Sequence, residues 1–143
     1  MVIDYAHTPD GLENICRTLR ECCQGRLVTV FGCGGDRDRT KRPKMGAVAA
    51  SLSDYLVVTS DNPRSEEPGA IIQDILAGLQ DTKTPYTVVE NRVEAIHWAI
   101  AHAQSGDTIL LAGKGHETYQ VLKDEVIHLD EREVVADALA ALQ

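Results

Sequence analysis

The chain has 143 residues, with 22 acidic against 14 basic side chains for a formal charge of −8, and 43% of it is hydrophobic. A chain of roughly 150 residues buries about 68–70% of its unfolded surface, so this composition excludes disorder as the main state and makes one domain with a real core the expectation. The acidic balance argues against a non-specific nucleic-acid binder, which needs a broad basic surface, and no run approaches the roughly 18 apolar residues of a membrane span.

The N-terminus lacks a basic segment followed by an apolar stretch, so the protein is expected to be cytoplasmic. Cys16, Cys22, Cys23 and Cys33 show no C-x-x-C spacing, and the five histidines are scattered singly. Reduced thiols and no metal site are expected.

In chain order, Pro9 and Asp10 precede apolar residues at Leu12, Ile15, Cys16 and Leu19, spaced three and four apart. This spacing predicts a helix over about 9–23, stopped by Gly25. Leu27 to Phe31 reads as a buried strand opening into Gly32-Cys33-Gly34-Gly35, and the next helix is expected over about 43–52. The alternation continues with strands at Tyr55–Thr59, Tyr86–Val89 and Thr108–Ala112, and helices at 67–79 and 92–104. Tyr119–Leu122 and Val126–Leu129 are shorter strand candidates around Lys123-Asp124-Glu125, and Asp130 caps a last helix through about Leu142. The pattern predicts an α/β fold: one doubly wound, mostly parallel sheet with helices on both faces, and an antiparallel edge strand or hairpin near the C-terminus.

In such a sheet the ligand crevice lies beyond the carboxyl ends of the strands, so the loops 32–44, 60–68 and 113–118 are expected to converge. The first holds five of the 14 basic residues within eight positions, Arg37 to Lys44. Glycines there let backbone N–H groups approach an anion, and Arg binds a carboxylate or phosphate with two parallel hydrogen bonds; a solvated charged loop has the same composition. Arg37 stands where G-x-G-x-x-G requires glycine, and Gly115 stands where a phosphate-binding loop requires Ser or Thr after its lysine. In Asp61-Asn62-Pro63-Arg64 the proline fixes the backbone so that Asn62 and Arg64 project in defined directions, as they would also in an ordinary turn. Gly113-Lys114-Gly115-His116-Glu117 combines close backbone approach with a carboxylate able to hold an ammonium group. His116 is an acid, a base or a hydrogen-bonding loop residue. At the N-terminus, Asp4 can accept hydrogen bonds from a ribose or belong to a polar turn before the first helix, with His7 three residues on. His97, His102 and His128 lie in regular-element patterns, and Trp98 is a packing residue.

The segments DYAHTPD, FGCGGDRDRTKRPKMG, TSDNPRSEEP and AGKGHETYQ, in this order and spanning residues 4 to 120, resemble the carboxy-terminal domain of the Mur ligases, within that family its diaminopimelate-adding branch. The resemblance implies a Rossmann-like fold and ATP-dependent amide-bond formation, in which a D-glutamate carboxyl is phosphorylated and a diaminopimelate amine attacks the acyl phosphate. Carried over by position, Arg37, Asn62, Arg64, Gly113 and Glu117 would contact meso-diaminopimelate, flanked in the motifs by Asp61, Pro63, Lys114 and His116. Asp4 would meet the ATP ribose, with His7 nearby. Diaminopimelate has an amino-acid group at each end, so its unreactive end presents a carboxylate beside an ammonium. Arg plus Glu reads that pair, and lysine lacks the carboxylate.

The implied cofactors are ATP and Mg2+, with phosphate and metal sites mainly in a central domain, and the implied second partner is a UDP-N-acetylmuramoyl-dipeptide held by other domains. Residues 1–143 would then be the amino-acid-binding domain. No G-K-[ST] phosphate loop is present, and the chain starts immediately before DYAH; an excised or truncated domain, inactive alone, is the expectation. A stand-alone diaminopimelate-binding module and an unrelated nucleotide-binding α/β enzyme are the alternatives.

Overall fold

Helix boundaries follow local chemistry. Thr8 accepts the Gly11 N–H at 3.1 Å and Pro9 occupies the first turn, which starts α1 (Pro9–Cys22) at the predicted position. Asn91 and Asp130 cap α4 (Arg92–Ala101) and α5 (Glu131–Ala140) through their side chains. Two further helices are α2 (Lys41–Leu52) and α3 (Pro68–Leu76), the latter running into a 3-10 turn, Ala77–Leu79. The computed structural model describes residues 1–142.

Five strands, β1 (Val2–Asp4), β2 (Leu27–Phe31), β3 (Tyr55–Val58), β4 (Tyr86–Val88) and β5 (Thr108–Ala112), form one parallel sheet in the order β1-β5-β2-β3-β4. Period-two alternation divides its side chains between two cores. Leu27, Phe31, Leu56, Val58 and Leu110 pack under α1, α2 and α3, while Val28, Val30, Val57, Ile109 and Leu111 pack under α4 and α5. A doubly wound sheet with helices on both faces is thus the observed arrangement. The expected C-terminal hairpin is present as β6 (Tyr119–Val121) and β7 (Val126–His128), antiparallel, in a two-stranded sheet of its own.

The strand β1 is the element that the sequence pattern does not predict. Three residues carry no periodicity, and β1 is defined by its parallel register on β5, Val2 to Leu110 and Asp4 to Ala112. Its effect is to bring the DYAH segment beside the loop that follows β5. No helix among the described residues is long and apolar enough to cross a membrane.

Candidate functional site

Because the five strands are parallel, the loops after β1, β2, β3 and β5 leave the sheet at one edge. They meet around a cleft of about 410 Å3, within the range of small-molecule sites. Of the predicted residues, Arg37, Asn62, Arg64, Gly113, Glu117, Asp61 and His7 line it. Asp4, Pro63, Lys114 and His116 lie next to it without forming its wall.

The loop after β2 is clamped to the loop after β3. The Gly35 N–H donates to the Asn62 carbonyl at 2.8 Å, and a Cβ on Gly35 would stand 1.8 Å from the Pro63 oxygen. Only glycine permits this approach. Asp36 accepts hydrogen bonds from the Ser65 hydroxyl and N–H, and the hydroxyl holds its carboxylate below the ordinary range.

The basic loop is less free than its composition suggests. Arg42 is fully buried: it donates to Glu66 at 2.7 and 3.1 Å, to Asp74 at 3.0 Å and to the Gly34 carbonyl at 3.1 Å. Arg39 reaches Asp74 at 3.3 Å. Arg39 and Arg42 hold the loop itself, and of its five basic residues only Arg37, Lys41 and Arg42 border the cleft. The partners that capture Arg42 lie 24 and 32 residues away, so the loop's own sequence carries no sign of them.

Arg64 stands with a left-handed backbone, φ +53°. Its Nη1 donates to the Gly35 carbonyl at 3.0 Å and more weakly to that of Asn62 at 3.4 Å. The other guanidinium donors have no protein partner among the described residues. Two backbone carbonyls thus aim a planar fork whose free edge can take a carboxylate.

Lys114 is the knot beneath the site. It is fully buried, and its Nζ donates to Asn62 Oδ1 at 2.8 Å, with Asp61 Oδ1 at 3.4 Å and Glu117 Oε1 at 3.5 Å. Asn62 Oδ1 also accepts the Val121 N–H at 2.9 Å. With its oxygen engaged twice, Asn62 has its Nδ2 left as the donor for the cleft. Gly113 has φ +116°, and a Cβ there would lie 2.6 Å from Asp61 Oδ2, so the third loop closes on the second only with glycine. Glu117 has only long contacts, 3.5 Å to Lys114 and 3.3 Å from the Tyr119 hydroxyl.

On the N-terminal side, Asp4 Oδ2 accepts the Ala6 N–H at 2.9 Å, which closes a turn and leaves Oδ1 without a protein partner among the described residues. His7 Nδ1 lies 3.0 Å from the Tyr5 carbonyl, and the Tyr5 ring packs 4.9 Å from His7 and 6.0 Å from His116. Tyr5, Cys33 and Met45 supply apolar wall that sequence reasoning did not single out. Burial pushes the Cys33 thiol up to about 12, so it stays protonated and acts as wall.

This architecture defines a doubly wound α/β domain with a polar, charged cleft at its strand ends. The family profile described as "Mur ligase, glutamate ligase domain" matches residues 1–115, and the chain belongs to that family. An unrelated nucleotide-binding enzyme is thereby excluded. The chain is 57% identical over 139 residues to the UDP-N-acetylmuramoyl-L-alanyl-D-glutamate–2,6-diaminopimelate ligase of Clostridium botulinum, covering 97% of this chain and 28% of that protein. It is 59% identical over 139 residues to the ligase of the same name from Trichormus variabilis, with the same coverage of 97% and 28%. A solved structure of a ligase with this name superposes with a TM-score of 0.91 at 40% identity, over 98% of this chain and 29% of that one. A solved domain from Haemophilus ducreyi, 16% identical with a TM-score of 0.63 over 99% of this chain and 89% of that one, shares the fold. The chain spans less than a third of the length of the curated relatives it matches.

Proposed function

We propose that this chain is the acceptor-binding domain of an ATP-dependent ligase that joins meso-diaminopimelate to UDP-N-acetylmuramoyl-L-alanyl-D-glutamate through an acyl phosphate. The observation that carries the reading is the pairing, across one cleft, of the free edge of Arg64 with the loosely held carboxylate of Glu117. The unreactive end of diaminopimelate offers the complementary pair. Its carboxylate takes the Arg64 fork and the Asn62 Nδ2, and its ammonium takes Glu117. Arg37 adds positive charge at the rim. Held so, the other end points its amine out of the cleft toward an acyl phosphate on neighbouring domains, and the binding step fixes the orientation of attack.

On this reading ATP meets the same cleft from its N-terminal side, where Tyr5 and His7 line it. Asp4 keeps one carboxylate oxygen for a ribose hydroxyl, and Tyr5, half exposed beside His7, offers a flat apolar surface. ATP bound there supplies the phosphoryl group that activates the acceptor's partner carboxylate. Among the described residues no three His, Cys, Asp or Glu side chains gather as a metal site.

The test is acceptor competition in the complete ligase that carries this domain. A site whose buried polar groups pair with the substrate rejects an analogue lacking the partner group by about 10^4, so meso-diaminopimelate should exceed L-lysine in kcat/KM by that order. Comparable use of lysine would overturn the reading.

A further inference from the structure

Arg92 is the first residue of α4 and is fully buried, at a helix N-terminus where the helix dipole disfavours a cation. Its Nε donates to Glu131 Oε2 at 2.9 Å, its Nη1 to the Ser60 carbonyl at 3.0 Å and its Nη2 to the Ala112 carbonyl at 3.0 Å. Glu131, the first residue of α5, is equally buried, and its Oε1 has no partner among the described residues.

The two carbonyls belong to the roots of two different site loops. Ser60 immediately precedes Asp61-Asn62, and Ala112 immediately precedes Gly113-Lys114. Their strands, β3 and β5, are not neighbours, because β2 lies between them. No ladder of hydrogen bonds therefore joins these roots directly, and one guanidinium spans them. Burying an ion pair brings a desolvation penalty that its own attraction repays only with good geometry, and well-packed apolar residues often serve stability as well. Stability alone thus gives no reason for the pair.

We propose that Arg92 is a positioning residue of the acceptor site: it sets the separation between the loop bearing Asn62 and Arg64 and the loop bearing Gly113 and Glu117, with Glu131 as its counter-charge. The proposal rests on the functional reading above and adds to it the device that holds the two halves of the pocket in register. Lys114 joins the same loops nearer the ligand, and Arg92 joins them one residue deeper, from the opposite helical layer.

The test compares wild type, Arg92→Lys and the double variant Arg92→Met/Glu131→Met in the complete ligase. Lysine keeps the charge but cannot reproduce a fork on two carbonyls and a carboxylate. The double variant removes both charges together and so avoids a lone buried ion. In both, the meso-diaminopimelate KM should rise about 10–100-fold, the scale of a displacement of about 1 Å in a binding group, and preference over lysine should narrow, while the ATP KM stays unchanged. Unaltered acceptor KM and preference in a folded variant would overturn the proposal, as would parallel losses for both substrates that follow the fall in Tm. Amide exchange separates this from failure of the functional reading. The Gly35 and Val121 amides, both held by Asn62, should exchange faster in the variants while the α1 amides do not, whatever acceptor the enzyme uses. If wild type shows no preference for diaminopimelate but these amides respond, the functional reading falls and the positioning device stands; unresponsive amides overturn the device.

Discussion

Arg64 joins two requirements that conflict. Its backbone is left-handed at φ +53°, a conformation that costs a residue with a Cβ about 1–2 kcal/mol. That conformation is also what lays its guanidinium against the Gly35 and Asn62 carbonyls. Removing the side chain separates the two effects. Arg64→Ala and Arg64→Gly should each lower kcat/KM for meso-diaminopimelate by about 2–5 kcal/mol, the range for losing one partner of a desolvated charge pair. Arg64→Lys should also be poor, since an ammonium lacks the planar fork. In stability the two truncations should part, with the glycine variant more stable than the alanine variant by about 1 kcal/mol in urea denaturation, opposite to the usual order. Equal stabilities would mean that the left-handed turn is not kept in solution.

At the scale of elements, Arg42 of α2 draws together Asp74 of α3 and Glu66 of the loop after β3. The Arg42 hydrogen bonds hold the Glu66 carboxyl down to about 2 and also lower that of Asp74. A carboxyl lowered on folding adds stability above its ordinary value of 4.5 and loses it as the pH falls toward about 2. Urea midpoints should therefore drop between pH 6 and pH 3, and Glu66→Gln should be less stable than wild type at pH 6 with a shallower slope below pH 5. Parallel profiles would remove Glu66 from the clamp. Such links explain what the sequence could and could not show. The helices and the strands β2 to β5 are legible because caps, β-branched runs and apolar spacing are local signals, and the site loops are legible because they follow those strands. The strand β1, the capture of Arg42 and the burial of Lys114 are not, since each depends on a partner brought near only by the finished sheet. Arg92 and Glu131, 39 residues apart, are a further case.

For the whole molecule, the parallel sheet delivers the loops after β1, β2, β3 and β5 to the carboxyl ends of its strands and leaves the opposite end to short connections. On the proposed reading, the resulting cleft takes an amino acid. Lys114, the one lysine among the glycines of the third loop, is fully buried and directed onto Asn62, Asp61 and Glu117, so its ammonium is not placed to hold a nucleotide phosphate. The sequence also contains no G-K-[ST] segment. The 143-residue chain by itself is therefore expected to fold, with two cores covering both faces of the sheet, and to turn over no ATP. The measurement is phosphate release from ATP with meso-diaminopimelate and the UDP-linked dipeptide, beside a thermal melt and calorimetric titration with meso-diaminopimelate. A cooperative melt without phosphate release is the expected pair of results, and measurable heat of diaminopimelate binding would show that the acceptor pocket is complete without other domains. Phosphate release at an enzymatic rate, on the order of 1 per second or more, would refute the division of labour, because the phosphoryl chemistry would then have to reside in the loops described above.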